Sequence, residues 1–174
     1  NDLRYILFMI ENGGRRANVI NPATYRYTYF DDGAYLPSGP TIAEVLLNKA
    51  EALARKGDAN NALAAANILR AKRLKTYVAL TTGGSADALT VILQERRREL
   101  PFSFRWADIR RFSVNEAPGD DVTVTHTFFK MGVGTVDLNT IQAYTLPVKS
   151  LRYAVPVNGV EITASQGQIE QNNY

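Results

Sequence analysis

Apolar residues recur at helical spacing in three runs of this chain and alternate with polar ones in several others. The first helical run opens at Thr41, whose hydroxyl pairs with the Glu44 carboxylate to predict a capping box, each group meeting a free amide of the first turn. Ile42, Val45, Leu46, Lys49, Ala50 and Leu53 follow at helical spacing, and the apolar members predict a stripe on one face. Gly57 fits the left-handed position that ends a helix, and Asp58 can cap the next helix at once. The second run sets Ala62, Leu63, Ala66 and Leu69 on one face and finishes in Lys72 and Arg73, cations that suit the negative end of a helix dipole. So short a turn folds the two helices antiparallel, and the many alanines (Ala50, Ala52, Ala54, Ala62, Ala64, Ala65 and Ala66) let their axes approach closely. The third run, about Ala86 to Leu100, brings Ala88, Leu89, Ile92, Leu93 and Arg96 near one face, and Pro101 stops it.

Alternation marks the rest. Residues 1–40 are rich in turn formers, as in "NGGRRANVINPATY", and predict irregular structure except at "YRYTYF". There Tyr25, Tyr27 and Tyr29 share one face of a strand, with Arg26, Thr28 and Phe30 on the other. "DVTVTHTFF" and "IQAYTLPV" predict further short strands, "LRYAVPVNGVEI" an extended segment punctuated by proline, and "ASQGQIEQNNY" an irregular tail. The expected fold is mainly helical: a tetratricopeptide-like helix pair (41–73) and a further helix, with a loop-rich lobe formed by 1–40 and 101–174 that contains short strands. One such pair is visible, and a solenoid of this type needs about three. The pair is therefore expected to pack on the rest of the chain or to belong to a longer array.

Composition narrows the chemistry. The 174 residues hold 45% hydrophobic and 21% charged side chains, a globular balance, and no cysteine, which excludes disulfides and thiolate metal sites. No apolar run reaches membrane-spanning length. The chain opens on Asn1 without a signal sequence, so it is expected to be a processed chain or a fragment. Twenty bases against 17 acids leave +3, and the stretch from Glu95 to Arg111, with six arginines and three carboxylates, carries all of that excess. A nucleic-acid binder spreads its bases over a face, so nucleic acid is not an expected partner.

Three blocks, in order, carry a resemblance: "TIAEVLLNKAEALARKGDANNALAAANILRAKR", "ERRRELPFSFRWADIRRF" and "LRYAVPVNGVEI" with the "QNNY" end. Together they resemble the C-terminal region of the SusD/RagB family, and "DLRY" near the start resembles the segment that opens this region in relatives. The middle block departs from the family pattern at Ser103, where a glutamate is usual, and lacks one residue before Arg105. The resemblance implies a lipid-anchored surface protein of the Bacteroidetes outer membrane. It implies non-catalytic capture of oligosaccharide and delivery to a SusC-like TonB-dependent transporter. The N-terminal part, with the lipidated cysteine, would lie outside this chain. Glu95, Arg96, Arg97, Glu99, Leu100, Arg105, Trp106 and Asp108 form the family motif, for which a structural role is expected. In that reading Phe102, Phe104, Trp106 and Phe112 fill a joint between helices and lobe.

Candidate chemistry beyond the motif is sparse. Tyr25, Tyr27, Tyr29 and Tyr35 are the candidate sugar contacts, because tyrosine rings stack on the C–H faces of sugars while their hydroxyls bond sugar oxygens; the same run also suits a strand face buried on the helices. His126 stands alone, with no triad partners around it. Asp31-Asp32 and Asp120-Asp121 offer hard oxygens to calcium and paired carboxyls to a glycoside hydrolase, the enzyme alternative. Neither a cofactor nor catalysis is expected. "TTGGSADA" places glycines before a helix but lacks the lysine of a phosphate-binding loop. The other alternative is a tetratricopeptide-like scaffold that binds a protein segment and no sugar.

Overall fold

The structure is a computed structural model. It describes residues 1–13, 20–27, 40–100 and 103–173, and for 20–27, 103 and 104 the backbone alone. The chain forms two compact units and passes from one to the other between Pro101 and Phe102.

The first unit is built on three helices, α2 (Ile42–Arg55), α3 (Ala59–Arg70) and α4 (Ser85–Glu99). Their ends follow the local chemistry. Thr41 Oγ1 accepts from the Glu44 amide at 3.1 Å, which is the hydroxyl half of the predicted capping box. Gly57 sits at φ +86°, the left-handed conformation that ends α2, and Asp58 Oδ1 accepts from the Asn61 amide at 3.2 Å to begin α3. The Ser85 hydroxyl donates to the Gly57 carbonyl at 2.9 Å, so α4 starts beside the α2–α3 turn and runs in the direction of α3. Asn67 clasps Leu80 on the way, accepting from its amide at 2.8 Å and donating to its carbonyl at 3.2 Å.

The core is the alanine seam: Ala50, Ala62, Ala66, Ala88 and Ile92 are fully enclosed. Small side chains let three backbones close in, and Ile92 fills the space between them. The stripe predicted on α2 is rotated. Ile42 and Val45 are 81% and 54% exposed, while Leu47, Ala50, Glu51 and Ala54 are buried. The facing helices select the buried side of α2, and small residues at 50 and 54 fit the close approach better than the branched ones at 42 and 45.

The N-terminal segment, expected to be irregular, is ordered. Asp2 caps α1 (Leu3–Phe8), and β1 (Met9–Gly13) pairs antiparallel with β2 (Ile20–Tyr27), Met9 opposite Tyr27 and Glu11 opposite Tyr25. Ahead of α1 the backbone zips onto the chain beyond α3. The Leu3 amide donates to Arg73 O and the Lys75 amide to Asn1 O, both at 2.9 Å, and Thr76 N donates to Asn1 Oδ1 at 2.8 Å. Main-chain pairing of this kind leaves no side-chain pattern to read.

The second unit holds α5 (Ser103–Phe112), the antiparallel hairpin β3 (Val124–Met131) and β4 (Val136–Leu146), and α6 (Gly159–Ala164). Both predicted strands are present, β4 starting five residues ahead of the predicted segment, and they pair from Val124–Leu146 to Met131–Val136 with an irregularity at Phe129/Lys130, both largely exposed along their length. Two segments differ from expectation. The proline-punctuated stretch contains a 3-10 turn at Leu151–Tyr153 and then α6, which starts because Asn158 Oδ1 accepts from the Val160 amide at 3.0 Å. The segment after Pro101 is a full helix, α5, and it ends on Phe112, the largest fully enclosed side chain among the described residues. The mainly helical architecture with short strands toward the C-terminus is that expected from sequence.

Candidate functional site

The arginine-rich motif is divided between the units. Its first half lies in the last turns of α4, where Glu95 and Glu99 fall one turn apart on one face. That face meets the end of α3 and the N-terminal segment. Glu95 has no exposed surface, and its Oε2 accepts from Arg70 Nη1 at 2.6 Å and from Arg98 Nη1 at 3.2 Å. Its Oε1 lies 2.8 Å from Arg4 Nη2, a close ion pair out of line for a hydrogen bond. Arg73 forks onto Glu99, with Nη2 to Oε1 at 2.7 Å and Nε to Oε2 at 2.9 Å, and Arg4 Nη1 reaches the same Oε2 at 3.2 Å. Arg4 also clasps Asp2, through Nη2 to Oδ2 at 2.7 Å and Nε to Oδ1 at 2.9 Å.

This is one network of four guanidiniums and three carboxylates, centred on the buried Glu95 and Arg4. Burial works against the charge on Arg4, but its hydrogen bond to Asp2 and the fields of Glu95 and Asp2 outweigh that, so it is held above even its ordinary range. Burial likewise raises the Asp2 carboxyl, and the Arg4 bonds and charge, with Arg98 behind them, more than reverse it and hold Asp2 below the ordinary carboxylate range. A carboxyl depressed in the folded state contributes stability that is complete above its unfolded pKa and lost as pH falls through the folded value. The N-terminal strap is therefore expected to hold at neutral pH and to loosen below about pH 4. Hydrogen exchange checks this. Protection of the Lys75 and Thr76 amides, corrected for intrinsic rates, should fall from pH 6 to pH 3 while that of Ile92 stays level. Level protection at all three would mean that Asp2 does not hold the strap.

The remaining motif residues have separate tasks. Arg96 is buried and donates through Nη1 to Asn48 Oδ1 on α2 at 2.7 Å, Leu100 is buried, and Arg97 faces solvent. In the second unit Asp108 is buried and accepts from Arg111 Nε at 3.1 Å, while the Arg111 guanidinium lies 4.4 Å above the Phe112 ring and that of Arg105 lies 6.0 Å from it. Trp106 stacks on Tyr153 with centroids 5.5 Å apart and keeps 38% of its surface exposed. Burial, with the Asp121 charge added, pushes the Tyr153 hydroxyl up, so it stays protonated and donates to the Val122 carbonyl at 3.4 Å. Phe102 lies outside the described residues, and Phe104 is described in its backbone alone.

Of the candidate sugar contacts, Tyr25 and Tyr27 lie on β2, in register with Glu11 and Met9, while Tyr29 and Tyr35 lie outside the described residues. Asp31-Asp32 lies outside them too. Both Asp120 oxygens accept from the Asn115 amide, at 3.2 and 3.1 Å. Among the described residues no three His, Asp or Glu side chains gather as metal ligands. His126 stacks on Phe128 at 6.0 Å on the exposed hairpin. Arg4, Arg70 and Arg73 were not picked out as network members from sequence. The one signal for Arg70 and Arg73 was their three-residue spacing at and just past the end of α3, close to the four-residue spacing of Glu95 and Glu99 on α4.

The sequence profile of the SusD family matches residues 42–174. The chain belongs to the SusD family. No curated protein and no solved structure matches it. SusD proteins are in general non-catalytic and bind glycans in nutrient uptake, typically at the outer-membrane surface. Among the described residues of this SusD-family chain no helix is long and apolar enough to cross a membrane. The matched stretch includes the whole arginine-rich motif and leaves its partners Asp2 and Arg4 outside.

Proposed function

We propose that this SusD-family protein captures an oligosaccharide at the cell surface and passes it to a SusC-like TonB-dependent transporter, making and breaking no bond. The family match over residues 42–174 carries this reading. The structure is consistent with a binding role. The described carboxylates Glu95, Glu99 and Asp108 are engaged by arginines, which suits scaffolding rather than acid–base work. The sugar contacts proposed are Tyr25, Tyr27, Tyr29 and Tyr35, with aromatic stacking supplying affinity and hydroxyls supplying orientation. A lipid anchor would hold the protein at the membrane. No cofactor is invoked.

Affinity gel electrophoresis of the full-length protein against a panel of neutral and acidic polysaccharides tests the proposal. Retardation by at least one polysaccharide, weakened roughly tenfold or more in a Tyr25→Ala/Tyr27→Ala variant, is the expected result. Retardation that the variant leaves intact would move the contacts elsewhere. No retardation by any polysaccharide would favour a protein-interaction scaffold, for which the exposed Ile42 and Val45 of α2 offer a surface.

A further inference from the structure

Spatial arrangement changes the charge picture drawn from the sequence. The stretch from Glu95 to Arg111 carried the excess in linear order, but it is split between the units, and other cations gather with its first half. The helices α3 and α4 run in the same direction and finish side by side, as the Arg70–Glu95 and Arg73–Glu99 pairs show. At this end segments 70–75 and 96–98 supply seven cations and the N-terminal strap adds Arg4, against Asp2, Glu95 and Glu99. Glu44 joins them, because α2 runs antiparallel to α3 and begins at this end. Eight cations against four carboxylates leave an excess of four, more than the +3 of the entire chain. The two helix C-termini contribute roughly half a negative charge each, and the end stays strongly positive.

Asp2, Glu95 and Glu99 are occupied within the network, and the spare cations are the outer ones. Lys72, Lys75 and Arg97 are exposed, and among the described residues none of them has a carboxylate partner. Arg98 makes a single 3.2 Å contact with Glu95 and is 49% exposed in its side chain. Dipole complementation accounts for the last-turn residues Arg70 and Arg96 to Arg98, but Lys72 and Lys75 lie past the end of α3. A fixed network beneath, with uncommitted ammonium and guanidinium groups above it, is a surface shaped for a polyanion.

We infer that this end of the first unit engages an acidic glycan, one carrying carboxylate or sulfate groups, and that Lys72, Lys75, Arg97 and Arg98 contact those groups. The choice of a glycan among polyanions rests on the glycan-capture reading. The test uses the full-length protein with polygalacturonate and dextran sulfate, unsubstituted dextran and the neutral polysaccharides of the panel, duplex DNA and phosphatidylglycerol vesicles. The variant is Lys72→Glu/Lys75→Glu/Arg97→Glu, which leaves the network intact, with circular dichroism to confirm its fold. The expected result is binding of at least one acidic polysaccharide, weakened at least about tenfold by the variant and by raising salt from roughly 50 to 500 mM, with weaker binding of DNA and vesicles. Equal binding by variant and wild type would overturn the inference. So would DNA or vesicles bound as tightly as the acidic polysaccharide, which would make the surface a general polyanion or membrane contact. Binding of neutral polysaccharide alone would remove the acidic class and leave glycan capture standing, whereas binding of no polysaccharide would remove both.

Discussion

Replacing Glu95 by alanine is expected to destabilise the helical unit by about 3–5 kcal/mol, the cost typical of breaking a buried ion pair from one side. The carboxylate has no exposed surface, and two arginines direct hydrogen bonds at its Oε2 while a third abuts its Oε1. Its removal leaves the Arg4 charge enclosed with Asp2 and Glu99 alone and takes from Arg70 its carboxylate partner. In a chain of this size such a loss lowers Tm by roughly 10 °C. Glu95→Gln keeps the shape and one acceptor oxygen, so a smaller loss, about 1–3 kcal/mol, is expected. Arg98→Ala is the contrast. Its side chain is half exposed and makes one long contact, so its removal should cost under about 1 kcal/mol. Urea unfolding followed by helical circular dichroism gives all three values. A Glu95→Ala loss no larger than that of Arg98→Ala would show that the alanine seam and the main-chain pairing of the strap hold this unit together without the ion network.

Phe112→Ala is the second large effect, about 3–5 kcal/mol, because it empties the largest enclosed site among the described residues. The ring also carries the Arg111 guanidinium 4.4 Å above it, and Arg111 in turn holds the buried Asp108. Losing the ring therefore removes a packing element and loosens an ion pair at the end of α5. Trp106 offers a local reporter, since it stacks on Tyr153 within the same unit. Its fluorescence should shift at a lower urea concentration in Phe112→Ala than in the wild type. An unchanged Trp106 transition would mean that Phe112 is not what holds α5 in its unit.

Local chemistry was legible. Thr41, Gly57 and Asp58 marked two helix ends and one turn because capping acts within four residues, and alternation located β3 and the second half of β4. The order of the three motif blocks was enough to indicate the SusD family, and the profile match over 42–174 agrees. The buried face of α2 was misread because periodicity names candidate faces while the neighbouring helices choose among them, and here they chose small residues over Ile42 and Val45. Helix α5 escaped notice within an aromatic and arginine-rich stretch whose apolar spacing is weak.

The candidate site divides in the same way. The sequence by itself determined that Glu95 and Glu99 share a helix face and that bases slightly outnumber acids. Only the tertiary structure decided which arginines meet those glutamates. Arg4 reaches Glu99 from 95 residues away and Arg73 from 26. The tertiary structure also decided where charge gathers within the first unit, since it brings Arg98 beside Arg70 and Arg73. The reason is one of range. Capping and side-chain alternation are settled by neighbours along the chain, whereas an ion network and an electrostatic surface depend on distances through space that only the closed fold sets.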